Sequence, residues 1–154
     1  YESSACLVGS EMCIRDSDQG VRVRVEGASA CIAGSETLAE EMLYNLIENG
    51  IRYNHEGGLV TMKVGSECVE GGLANAAYQT VVRVSDTGPG IPAELHDKVF
   101  ERFFRVDKSR SKETGGTGLG LAIVKHAVMY HGGVIEVESA EGQGTTFVLR
   151  FPSA

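Results

Sequence analysis

The chain has 154 residues, 42% hydrophobic and 23% charged, which fits one globular domain with an ordinary core. Its net charge of −7 argues against a general nucleic-acid binder, and no apolar run approaches the ~18 residues that span a membrane. No signal-peptide pattern appears, and Cys6, Cys13, Cys31 and Cys68 form no close C-x-x-C pair, so neither zinc nor a disulfide framework is expected and reduced, cytoplasmic thiols are.

Residues 1–17 carry neither a clean period nor caps, and they read as a non-native, adapter-like leader to be left out of fold reasoning. Strict alternation in Val21-Arg22-Val23-Arg24-Val25 predicts a half-buried strand, with Ala30-Cys31-Ile32 as a short partner. Ser35 then caps a helix running to about residue 50, with Glu36 in its first turn. At 100° per residue, Ala39, Leu43, Leu46, Ile47 and Gly50 form its core stripe. Glu41, Asn45, Glu48, Asn49 and Arg52 lie opposite, within an arc of roughly 100°. Two asparagines four apart are poor helix choices unless their amides have a task. One such task is to ligate Mg²⁺ without adding negative charge beside a polyphosphate.

Leu59-Val60-Thr61-Met62-Lys63-Val64 and Thr80-Val81-Val82-Arg83-Val84 predict an antiparallel strand pair, joined by a connector over 65–79 in which Cys68 is a surface thiol. The second strand runs into Asp86-Thr87-Gly88-Pro89-Gly90-Ile91-Pro92. Asp before Gly-Pro-Gly makes a turn. It also makes a carboxylate able to accept from an exocyclic amine such as that of adenine, and to disfavour guanine, which offers a carbonyl where adenine offers the amine. A short helix is expected over 93–99, followed by Phe100-Glu101-Arg102-Phe103-Phe104-Arg105, whose three phenylalanines read as a core plug. Residues 98–112 hold six Lys/Arg, including Arg105 and Lys108, against two acids, a local charge reversal suited to a lid over a polyanion. Next, Gly116-Thr117-Gly118-Leu119-Gly120-Leu121 opens the helical run 122–130. Glycines before a helix start let backbone N–H groups converge on phosphate. The spacing matches neither a Walker loop nor a dinucleotide fingerprint. His131-Gly132-Gly133 stops the helix, and two strands over 134–138 and 146–151 follow, with Pro152 ending the sheet.

Four boxes occur in order: Asn45-Leu46-Ile47-Glu48-Asn49, Asp86-Thr87-Gly88-Pro89-Gly90-Ile91, Phe100-Glu101-Arg102-Phe103-Phe104 and Gly116-Thr117-Gly118-Leu119-Gly120-Leu121. Together with the tail Gly142-Gln143-Gly144-Thr145-Thr146-Phe147, this set resembles the catalytic ATP-binding domain of bacterial sensor histidine kinases, kin to gyrase and mismatch-repair ATPases. The resemblance covers roughly residues 20–152 and assigns the domain to 18–154. It implies an α+β two-layer sandwich, a mixed and mostly antiparallel sheet of about five strands against about three helices. It also implies Asn49 as the Mg²⁺ ligand, Asn45 and Arg52 toward the phosphates, and Tyr53 flanking the nucleotide. Asp86 would take the adenine amine in a pocket shaped by Gly88, Gly90 and Ile91. Phe104, Arg105 and Lys108 would belong to the lid, Gly116, Thr117, Gly118, Leu119 and Gly120 to the triphosphate cradle, and Glu48 to polarising the acceptor.

The implied activity is transfer of the γ-phosphoryl group of ATP to a histidine on a dimerisation segment, and thence to a response-regulator aspartate. The full protein would be a membrane-anchored homodimer with this part cytoplasmic. The alternatives are a nucleotide-binding module without turnover, a gyrase-type hydrolase and an anti-sigma-type serine kinase. Asn45 weighs against hydrolysis, since the hydrolytic relatives carry there a Glu that activates water. His55, His96, His126 and His131 all lack the sequence surroundings of a phosphoacceptor.

Overall fold

A computed structural model of the chain describes residues 4–7, 13–16, 20–69, 77–106 and 117–152. The strands are β1 (Ser4–Leu7), β2 (Cys13–Asp16), β3 (Arg22–Gly27), β4 (Ala30–Ala33), β5 (Leu59–Val69), β6 (Ala77–Asp86), β7 (Val134–Ser139) and β8 (Thr145–Pro152). Among the described residues the α-helices are α1 (Glu36–Arg52) and α2 (Gly120–Tyr130). Among the described residues six strands form one sheet in the order β2-β3-β5-β6-β8-β7, with β3 and β5 parallel and every other pair antiparallel. The class is therefore the two-layer α+β sandwich with a mixed sheet that the sequence implied.

Both helices cover one face of the sheet. Val60, Met62 and Val64 of β5 point there with Val82 and Val84 of β6 and Phe147, Leu149 and Phe151 of β8, and all are buried. Against them α1 lays Ala39, Met42, Leu46 and Gly50, and α2 lays Val124, Ala127 and Val128. Ser35 Oγ accepts from Leu38 N at 3.4 Å, Glu36 sits in the first turn and Arg52 in the last, so cap and charges both favour α1. Met42 is fully buried although the apolar stripe read from the sequence left it out. On the opposite sheet face Val81 and Val148 are also buried, beside their cross-strand partners Arg150 and Arg83. Those arginines pair with Glu136 at 2.6 Å and Glu67 at 2.7 Å, so their stems shield the valines while their heads stay solvated.

Four expectations are corrected. The described residues of the connector over 65–79 are strand: β5 and β6 continue to Val69 and from Ala77, with Gly65 facing Val81 and Glu67 facing Gln79. The helix over 93–99 is instead two single 3₁₀ turns, Ala93–Leu95 and Lys98–Phe100, since so short a run after Pro92 cannot offset helix nucleation. Strand β4 pairs with β1, Cys31 opposite Cys6, and not with β3. Lastly, the expected helix count of about three becomes two among the described residues. Where sequence patterning suggested no element before residue 20, the backbones of β1 and β2 are strand-paired.

His131 is buried just beyond the end of α2. Its Nδ1 lies 2.6 Å from the Ala127 carbonyl oxygen, and its Nε2 accepts from the Ser35 backbone N–H at 3.1 Å. It thus ties the end of α2 to the start of α1, and the two helices run antiparallel. No helix among the described residues is long and apolar enough to cross a membrane.

Candidate functional site

The antiparallel helices bring the last turns of α1 beside the first turn of α2, and a cleft of about 320 Å³ opens there. One wall is the polar stripe of α1. Asn45, Glu48, Asn49 and Arg52 all line the cleft, with Tyr53 just beyond the helix. Asn45 Nδ2 donates to the Glu41 carbonyl oxygen at 2.8 Å, and its Oδ1 stands 3.2 Å from where a Cβ on Gly120 would lie. A side chain at position 120 would press on the Asn45 amide, which would have to give way by a few tenths of an ångström. The Asn49 amide makes no side-chain hydrogen bond among the described residues, so its oxygen remains available. Arg52 Nη2 is engaged by Glu48 Oε1 at 2.5 Å, so Arg52 and Glu48 face the cleft as a pair.

The inner end is built at the junction of β6 and β8. Asp86 Oδ1 accepts from the Gly88 N–H at 2.9 Å, and the Thr145 backbone N–H donates to the same carboxylate. Burial raises the Asp86 pKa above its ordinary value of 3.8, with the two backbone bonds offsetting part of that rise. A half-buried carboxyl with lone pairs left over is a strong acceptor for a ligand N–H. The loop holding it is clamped by the β7–β8 turn: Gly142 N donates to Pro89 O at 2.7 Å, and Ile91 N to Ser139 Oγ at 2.7 Å. Gly90 has φ +78°, and a Cβ there would collide with the Ala140 carbonyl oxygen. Gly90→Ala is therefore expected to lower stability by about 3 kcal/mol or more and to abolish ligand binding with it, read as a fall in melting temperature.

The outer end is formed by the start of α2 and the segment before residue 107. Gly118, Gly120 and Leu121 line the cleft, and the N-terminus of α2 has no side-chain cap. Its first N–H groups and dipole therefore favour an anion. Phe103 N donates to Gly118 O at 2.9 Å, so the chain on either side of 104–117 is pinned together. Gly118 (φ +75°) allows this approach, and Phe103 itself has φ +64° and a 69% exposed side chain. The three-phenylalanine plug is thus two: Phe100 and Phe104 pack on the core, Phe100 edge-on to Phe147 at 6.1 Å, while Phe103 turns outward. Arg105 lines the cleft with its Nη2 buried and without a hydrogen-bond partner among the described residues. An orphaned guanidinium nitrogen beside an uncapped helix start fits a phosphate. No three His, Cys, Asp or Glu side chains converge among the described residues. A divalent cation here would rest on an amide oxygen and on oxygens the ligand brings.

Of the residues singled out from sequence, Asn45, Glu48, Asn49, Arg52, Tyr53, Asp86, Gly90, Ile91, Phe104, Arg105, Thr117, Gly118 and Gly120 meet in this one cleft. Gly88 does not line it and acts through its bond to Asp86. Leu119 does not line it either and is the residue preceding α2. Lys108 and Gly116 lie outside the described residues. Pro89, Val99, Val106, Leu121 and Thr145 line the cleft without having been singled out. Pro89, Leu121 and Thr145 lie within quoted motifs, whereas Val99 and Val106 carry the same apolar signature as core.

A family model described as "Histidine kinase-, DNA gyrase B-, and HSP90-like ATPase" matches residues 34–154. The chain is 41% identical over 134 residues to the sensor-like histidine kinase SenX3 of Mycobacterium tuberculosis (strain ATCC 25618 / H37Rv), covering 86% of this chain and 30% of that protein. It is 45% identical over 112 residues to the sensor histidine kinase WalK of Bacillus subtilis (strain 168), covering 73% of this chain and 17% of that one. Among solved structures, the mycobacterial sensor histidine kinase MprB superposes with a TM-score of 0.70 at 28% identity, over 87% of this chain and 83% of that one. The chain therefore spans 30% or less of the length of these two curated relatives.

Proposed function

This chain belongs to the histidine kinase-, DNA gyrase B-, and HSP90-like ATPase family, and we propose that its cleft binds Mg-ATP and presents the γ-phosphoryl group to a histidine of a sensor kinase's dimerisation segment. The observation that carries this reading is the joining of two unlike ends in one cleft. A half-buried acceptor, Asp86, sits at the inner end, and available amides, an orphaned arginine nitrogen and a helix N-terminus sit at the outer end. The inner end suits a base bearing an amine and the outer end a polyphosphate.

Asp86 accepts from the exocyclic amine of adenine, with the loop over 88–91 flanking the ring. The Gly118–Gly120 backbone and Arg105 hold the phosphates, with Lys108, Gly116 and Thr117 completing the lid side. Asn49 Oδ1 is the protein ligand of Mg²⁺, which when bound neutralises charge on the phosphate oxygens. Asn45, an amide without basic function, leaves bound water unactivated and so keeps ATP intact for transfer. In the transfer, an acceptor imidazole nitrogen forms a bond to the γ-phosphorus, the bridging P–O bond breaks, and ADP leaves. Glu48 takes the role of polarising that imidazole, with Arg52 holding its carboxylate. Positioning and charge supply the acceleration. The phosphorylated histidine passes its group to a response-regulator aspartate, and the longer protein is a membrane-anchored homodimer with this domain on the cytoplasmic side.

The test supplies the chain with γ-labelled ATP, Mg²⁺ and a separate two-helix dimerisation domain from a sensor kinase. The reading predicts acid-labile, alkali-stable label on the histidine of the added domain, and none when that histidine is replaced. Label on serine instead, or rapid phosphate release without acceptor, would overturn it in favour of a serine kinase or a hydrolase.

A further inference from the structure

Ser139, at the end of β7, does not line the cleft, yet three groups of the inner end meet at its hydroxyl. Ile91 N donates to Ser139 Oγ at 2.7 Å, Ser139 Oγ donates to Gly144 O at 2.8 Å, and Thr145 Oγ1 lies 2.9 Å away. A serine hydroxyl has one proton. Gly144 O, a carbonyl, can only accept, so that proton is committed to it. All three contacts are then satisfied in one way: Thr145 donates its own hydroxyl proton to Ser139. Thr145 is 5% exposed and lines the cleft, and what it has left to offer there is lone pairs.

From this geometry we infer that Ser139 is a specificity-determining positioning residue, which fixes the direction of the Thr145 hydroxyl and makes the inner end of the cleft accept hydrogen bonds only. Asp86, as a carboxylate, accepts as well. An exocyclic amine carries two protons, one for each of these neighbouring acceptors, whereas a carbonyl at that position sets lone pairs against lone pairs. The inference rests on the reading of the cleft as a nucleotide site and adds how the base is chosen.

Inosine triphosphate is the matched probe, since its ring differs from that of ATP by a carbonyl in place of the amine and by the ring proton that accompanies it. Titration of the whole chain with ATP, inosine triphosphate and tripolyphosphate, each with Mg²⁺, is expected to show a clear preference for ATP. In Ser139→Ala the Thr145 proton is released and can turn to the carbonyl, so the preference should narrow about ten-fold while tripolyphosphate affinity is unchanged. Ser139→Thr keeps the hydroxyl and should restore the preference. Should Ser139→Ala not fold, Thr145→Val cuts the same bond from the other end and should also narrow the ratio. A wild-type chain that prefers ATP, with the ratio unmoved by Ser139→Ala or by Thr145→Val, overturns the inference and leaves the nucleotide site standing. Equal loss of all three ligands in Ser139→Ala reduces Ser139 to a structural residue. A wild type that binds no nucleotide removes both readings.

Discussion

Asp86→Asn is expected to weaken Mg-ATP binding by ten- to a hundred-fold while leaving the nucleotide-free chain as stable as the parent or more so. A hydrogen bond to a charged acceptor contributes about 1.5–3 kcal/mol, and an amide offers the adenine amine a poorer acceptor and a competing donor. The stability half follows from burial. Burial raises the Asp86 pKa above its ordinary value, so the folded chain holds this proton more tightly than the unfolded chain does. The contribution of this group to stability is fully present below about pH 4, its unfolded value, and is lost as pH rises through the higher folded value. At neutral pH the carboxylate is therefore a buried charge that opposes folding. Asn removes that charge and keeps an oxygen to accept from Gly88 N. Melting curves across pH 4 to 8 check this: the stability advantage of Asp86→Asn should shrink as the solution is acidified. An advantage that grows in acid, or a variant that binds ATP like the parent, contradicts the assignment.

Asn49→Ala is expected to bring affinity for ATP in the presence of Mg²⁺ down to the level measured with excess chelator. It should also slow label transfer to an added acceptor by a hundred-fold or more. The fold should not suffer. Asn49 lies on the polar stripe of α1, its amide bonds to nothing among the described residues, and alanine is the better helix former. Melting temperature should stay within the change expected for about 0.5 kcal/mol. If Mg²⁺ continued to strengthen binding in the variant, the metal ligand would have to be sought elsewhere.

These two residues were legible in the sequence for different reasons. Asn49 stands out because the 3.6-residue period sorts α1 into two faces, and one face carries amides where a solvated helix ordinarily carries charge. Asp86 stands out because apolar alternation ends on it and glycines follow. What stayed hidden lacked a period. The outer halves of β5 and β6 place Gly65, Ser66 and Glu67 in a strand, where pairing and not apolar alternation decides. Strand β4 found its partner in a stretch without pattern. Phe103 reads as core by composition, yet the bond from its N–H to Gly118 O demands a left-handed turn that swings its ring outward. Ser139 carries no local signal, since its three partners come from positions 91, 144 and 145 and meet only when the sheet is formed.

The most direct test of the central claim is calorimetric titration of the chain with a non-hydrolysable ATP analogue and Mg²⁺. The account predicts saturable one-to-one binding that is weakened at least ten-fold by Asp86→Asn. A chain shown to be folded by its circular dichroism and cooperative melting, yet giving no binding at millimolar analogue, would contradict it.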